Sequence, residues 1–160
     1  MKNGFTFIEI LVYSAILAVV AGAIVAAMLG LIEFYNISRF NREVLVNAHS
    51  GLNTILLETR HASSIYTPTS NMNQLSLETN LNPPFGETNT YVDFYLDNGI
   101  LCVKREGAAA QPLTSEKVEV TVLTFDYLVG SVKTDITVRY RSSKTKYQRE
   151  ITLSSSSSLR

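Results

Sequence analysis

The sequence is short of the residue types that most catalytic chemistry needs. It has a single cysteine, Cys102, and two histidines, His49 and His61. One thiol excludes an intramolecular disulfide and a cysteine metal cage, and two histidines twelve residues apart make no cluster for a catalytic metal. A nucleophile elbow, a phosphate-binding loop, a dinucleotide fingerprint and zinc-ligand spacing are all missing, so the expectation is a protein that is not an enzyme and carries no cofactor. Proline is scarce as well: the first of four is Pro68, so no proline breaks a helix before that point. Net charge is zero, with 14 Lys+Arg against 14 Asp+Glu, which removes any overall pull toward nucleic acid or anionic lipid. With 160 residues there is room for one domain and an appendage, not for a second catalytic domain.

The layout of charge is uneven. Residues 1–34 hold only Lys2, Glu9 and Glu33; residues 65–130 carry eight acids against three bases, and 131–160 carry seven bases against two acids. From Ile10 to Ile32 run 23 residues with no charge. At about 1.5 Å per residue, a helix of that length crosses the roughly 30 Å of bilayer hydrocarbon. A secretory signal is the rival reading, since Ala21-Gly22-Ala23 offers small residues for a peptidase, but the basic region before the apolar stretch is a single lysine. Glu9 argues against that rival. It sits among Phe7, Ile8, Ile10 and Leu11, and a carboxylate at membrane depth costs roughly 2 to 3 kcal/mol, so such residues are usually functional. A counter-charge nearby would offset the cost.

The opening Met1-Lys2-Asn3-Gly4-Phe5-Thr6-Phe7-Ile8-Glu9-Ile10-Leu11 resembles the prepilin signature of type IV pilins and type II secretion pseudopilins. The resemblance implies that a prepilin peptidase cuts between Gly4 and Phe5 and methylates the new terminus on Phe5. It also implies that Glu9 pairs with the terminal amine of an adjacent subunit while the apolar helix passes from lipid into a fibre. Glycine suits the cut site because a residue without Cβ lets the backbone lie extended against an enzyme. Two positions depart from the family: Asn3 stands where a basic residue usually precedes the glycine, and the apolar helix lacks the mid-helix proline of many members.

Beyond Ile32 the pattern turns amphipathic, with Ile37, Phe40, Val44, Ala48, Leu52, Ile55 and Ala62 at helical spacing. This predicts one continuous helix from about Phe5 to His61, on the order of 85 Å long. The polar stretch Thr67 to Asn73 ends it, and the remainder reads as strands: 74–79, 91–96, 100–105, 118–129, 132–141 and 147–153. Asp97-Asn98-Gly99 is a hairpin turn signal, and the apolar phase of 118–129 switches between Val122 and Leu123, which predicts a bulge or bend. The fold class is α+β: a long N-terminal helix, transmembrane over about 5–32, packed on an antiparallel head. The expected organisation is leader 1–4, helix 5–62, head 63–153 and a frayed serine tail 154–160. Leu75-Ser76-Leu77, Val92-Asp93-Phe94-Tyr95-Leu96, Gly99-Ile100-Leu101 and Pro112-Leu113-Thr114 are similar to the J-type minor pseudopilins and W-type minor pilins.

Outside the processing residues Gly4 and Phe5 and the assembly residue Glu9, one cluster stands out. Lys133, Arg139, Arg141, Lys144, Lys146 and Arg149 form a basic C-terminal region. Such a row could contact DNA phosphates, as in a competence pseudopilin, or dock the acidic part of another head, or only solvate a strand face. Glu116 and Glu119 lack the dense oxygen-ligand pattern of a calcium loop and read as a solvated strand edge, and no metal is expected. The resemblance implies as partners other pilin subunits, the prepilin peptidase, an inner-membrane assembly platform and, before assembly, lipid. It places the chain as a single-pass protein of the cytoplasmic membrane, its head outside the cytoplasm, and then in a pilus or pseudopilus.

Overall fold

The computed structural model describes residues 6–143 and 147–160. The chain divides into two compact units, Met1–Arg39 and Phe40–Arg160. One helix, α1, covers Phe7–His61. The Thr6 carbonyl accepts its first bonds, from the N–H groups of Glu9 at 3.1 Å and Ile10 at 3.3 Å, and Glu9 lies in the first turn, where the helix dipole favours an acid. At the other end the Ala62 N–H closes on the Thr59 carbonyl, and the Thr79 hydroxyl donates to the His61 carbonyl at 3.2 Å. The helix therefore stops where the predicted stripe ran out, with its last carbonyls supplied from β2.

In the first unit no residue from Phe7 to Tyr35 is buried. Its apolar side chains point outward all round the helix, and the Ser14 hydroxyl is satisfied internally by the Leu11 carbonyl at 2.9 Å. A helix apolar on every face is suited to an apolar surrounding rather than to water.

In the second unit the predicted stripe becomes the core face. Val44, Ala48, Gly51, Leu52, Ile55 and Thr59 are buried, while Phe40 is half-buried; Ile37, half-buried as well, falls within the first unit. Two antiparallel sheets cover that face. The first is a five-stranded meander of β1 (Ser64–Ile65), β2 (Leu75–Thr79), β3 (Thr90–Asp97), β4 (Ile100–Arg105) and β5 (Gln111–Pro112), in that spatial order. The second is β6 (Val118–Leu128), β7 (Ser131–Tyr140) and β8 (Glu150–Ser158). Phe94 and Phe125 anchor the core from the two sheets, each worth roughly 1.5 to 3 kcal/mol of burial.

The local signals find their places. Asn98 and Gly99 take φ of 50° and 76° and close the β3–β4 hairpin, with Asp97 opposite Ile100. On β7, Val132, Thr134, Ile136 and Val138 are buried, and Lys133, Asp135 and Arg139 lie on the opposite face. In the β6–β7 ladder, register shifts between Val120 and Val122, leaving Thr121 as the extra residue; Val122 turns outward and Leu123 and Phe125 turn in.

The antiparallel head is divided into two sheets: β5 is only two residues, Pro112 has no N–H to offer a further strand on its outer side, and the second sheet begins at Val118. One expectation is corrected. The run Ser154–Ser158 is not a frayed tail, because β8 pairs with β7 from Arg139↔Glu150 through Ser131↔Ser158. Main-chain pairing decides there against weak side-chain propensity, and serine lets the strand end approach the helix, where Ser157 Oγ donates to the Leu56 carbonyl at 3.2 Å.

Candidate functional site

The N-terminal helix positions the residues singled out for assembly. Gly4 and Phe5 lie outside the described residues. Glu9 is half-buried in the first turn of α1, with its neighbours Phe7, Ile8, Ile10 and Leu11 all exposed. In Glu33 the same helix has its next charge. Gly22 and Gly30 would place a Cβ in open space, so neither marks a close approach inside the chain.

The basic C-terminal residues are dispersed among acids. Lys144 and Lys146 lie outside the described residues. Lys133 and Arg139 stand six residues apart on the outer face of β7, about 20 Å at strand spacing, with Asp135 between them. Lys133 Nζ sits 2.8 Å from Asp135 and 3.8 Å from Asp126. Arg139 reaches Glu119 at 2.9 Å and Glu150 at 3.9 Å. Arg141 follows β7 and donates to the Asn98 carbonyl at 3.3 Å, and Arg149 is exposed just before β8. Sequence reading missed the acid partners, because the pairing of Glu119 with Arg139 and of Asp126 with Lys133 is set by strand register, which no single strand displays.

Electrostatics agree with the geometry. The hydrogen bond from Lys133, helped by one from Ser154, holds the Asp135 carboxyl below its ordinary value. Asp135 in turn raises Lys133, by its hydrogen bond first and its charge second. Burial pushes the Cys102 thiol up, with the Asp97 charge adding to it, so it stays a thiol.

Other polar features hold the head together. The single Tyr127 O–H on β6 is shared between the carbonyls of Asn71 at 2.9 Å and Gln74 at 2.8 Å, pinning the segment before β2, and burial raises its phenol. Glu58 and Arg105 pair between α1 and β4. An open cleft of about 600 Å³ is lined by Asn71, Asn73, Gln74, Tyr95, Thr121 and Thr124 among others, and none of its lining residues is an acid, histidine or cation. Among the described residues no three His, Cys, Asp or Glu side chains come together as a metal site. Glu119 is engaged by Arg139, and Glu116 is exposed.

Residues 1–30 match the family model described as the prokaryotic N-terminal methylation motif. No curated protein and no solved structure matches the chain. Among the described residues one helix, α1, is long and apolar enough to cross a membrane, and its apolar part lies within the matched residues and the few that follow. The matched motif, together with the long apolar helix and the antiparallel sheets of the second unit, supports a type IV pilin-like prepilin.

Proposed function

We propose that this protein is a structural, nonenzymatic minor pilin or pseudopilin. A prepilin peptidase cuts between Gly4 and Phe5 and methylates the new terminus, leaving Glu9 as the fifth residue of the mature chain. The subunit then waits in the cytoplasmic membrane, spanning it once over about 5–32, with its head outside the cytoplasm. An assembly platform draws it into a type IV pilus, a type II secretion pseudopilus or the tip complex of either. The driving force is exchange of lipid contacts for helix packing, and Glu9 sets the stagger by pairing with the Phe5 amine of a neighbour. The observation that carries this reading is the coincidence, in thirty residues, of the methylation motif with one carboxylate at the head of an otherwise uncharged, fully exposed apolar helix.

The same strands could serve DNA uptake, but the ion pairs of Lys133 with Asp126 and Asp135, and of Arg139 with Glu119 and Glu150, favour a solvated or docking face over a phosphate track. Mass spectrometry of protein isolated from cells tests the processing: an N-methylated Phe5 terminus is expected, and a polymerised chain that retains Met1 to Gly4 would refute it. Glu9→Ala is expected to leave membrane insertion intact and to abolish incorporation into fibres. Wild-type incorporation of that variant would remove the pairing role.

A further inference from the structure

The head has four sheet edges, and three of them are blunted. In the first sheet, β1 is two residues long and β5 is two residues ending in Pro112. In the second, β6 carries the bulge at Thr121, and its outer edge is already occupied where the Val120 N–H donates to the Gly99 carbonyl at 2.8 Å and the Phe125 N–H to the Met72 carbonyl at 3.0 Å. These are the usual devices that keep an edge from pairing with another chain: short strands, proline, a bulge, or cover.

The fourth edge, β8, has none of them. It runs for nine residues, Glu150–Ser158, without proline, lysine or bulge. Among the described residues its backbone bonds only to β7, and the chain leaves the ladder after Ser158, where the Leu159 N–H turns to the Gly130 carbonyl. Every second residue of β8 therefore offers an unpaired N–H and C=O along one line. Side chains alternate regularly beside it: Ile151, Leu153, Ser155 and Ser157 face inward and Glu150, Thr152, Ser154, Ser156 and Ser158 face out.

A helix flank adjoins this edge. Ser157 Oγ bonds the Leu56 carbonyl, so β8 lies on the Leu56 side of the buried stripe, whereas the Glu58–Arg105 pair marks the side of the first sheet. At about 100° per residue, Leu45, His49 and Leu56 fall in the sector just outside β8, with Arg42 and Arg60 at its outer margin. Leu45 is 42 % exposed and Leu56 is half-buried, which makes an apolar ledge. Arg42 and Arg60 are exposed and paired with no acid among the described residues, and Arg149 stands exposed at the entry to the strand.

We infer that the β8 edge, with the ledge of Leu45 and Leu56, receives an extended segment of a second protein as an added strand, apolar on its helix-facing side and acidic at its ends. Main-chain bonds supply the affinity, the ledge takes alternate apolar side chains, and Arg42, Arg60 and Arg149 select acids. A second copy of this chain is the poorer occupant. Its other edges are blunted, and pairing β8 with β8 about a two-fold axis would bring two cationic flanks together.

The test uses the full chain in nonionic detergent micelles and a fluorescein-labelled nine-residue peptide that alternates valine with threonine and ends in glutamate on both sides. Saturating peptide is expected to slow hydrogen exchange at alternate amides of Glu150–Ser158 at least tenfold. Methylating the peptide nitrogens that face β8 is expected to weaken binding at least tenfold, as is Arg42→Glu with Arg60→Glu, and that double variant is expected to prefer a lysine-ended peptide. Equal binding of the N-methylated peptide, no binding at millimolar concentration, or unchanged exchange in β8 would each overturn the inference. So would a homodimer whose β8 amides are protected without peptide, because a second copy would then hold the edge.

Discussion

Gly51 provides a sharp measure of how closely α1 lies on the first sheet. A Cβ at this position would stand 2.7 Å from Leu101 Cδ2, 3.8 Å from Ile136 Cδ1 and 3.9 Å from Thr114 Cγ2. Leu101 is fully buried, so its methyl must move by about 1 Å against packed neighbours to restore ordinary carbon contact. Overpacking of this kind costs about 1 to 3 kcal/mol. Replacing glycine by alanine inside a helix returns about 1 kcal/mol. The net expectation for Gly51→Ala is destabilisation of about 1 kcal/mol. In a Leu101→Ala background the obstructing methyl is gone, and the same substitution should stabilise by about 1 kcal/mol, a coupling of about 2 kcal/mol between the two positions. Urea unfolding of the full chain in detergent, followed by far-UV circular dichroism across the four variants, reads this directly. A Gly51→Ala variant that is more stable than wild type, or a cycle with no coupling, would refute the close approach. Gly22→Ala and Gly30→Ala are the internal controls: nothing lies within 4 Å of either Cβ, and neither should move the unfolding midpoint of the head downward.

Two further expectations concern titration and reactivity. Asp135 is held below its ordinary carboxyl value by Lys133, so its contribution is present above about pH 4 and is lost as pH falls through the depressed value. Asp135→Asn should therefore flatten the acid limb of a stability-against-pH curve below about pH 4, and an unchanged limb would show that the pair contributes nothing. Lys133, raised by the same partner, contributes up to its ordinary value of about 10.4 and loses that contribution only as pH rises beyond it, so the neutral range is flat for this pair. Cys102 is 8 % exposed with its thiol raised by burial, and at pH 8 it should react with iodoacetamide at least tenfold more slowly in the folded chain than in urea. Equal rates would show that β4 opens freely.

Much of the fold was legible because its signals are local. The missing charges between Ile10 and Ile32, the stripe from Phe40 to Ala62, the Asn98-Gly99 turn and the alternation along β7 each depend on neighbours a few residues away in the chain. The bulge was legible for the same reason, since a phase change in side-chain character must accompany an extra residue, though the ladder places that residue at Thr121. The serine run was illegible. Its side chains have no strong preference, and only the open edge of β7 made a strand of it. The basic region was misleading in isolation, because Glu119, Asp126 and Glu150 lie on the neighbouring strands and meet its cations only through register.

By itself, the amino-acid sequence determined the N-terminal methylation motif, the apolar helix with its one early acid, and the class of fold, since each follows from short-range pattern, composition and periodicity. The tertiary structure alone decided that the head splits into two sheets, that Gly51 is a contact point, that Lys133 and Arg139 meet acids on neighbouring strands, and which strand edge remains open. The physical reason is that pairing and close approach join residues distant in the chain, and their energies depend on a register that no local pattern contains.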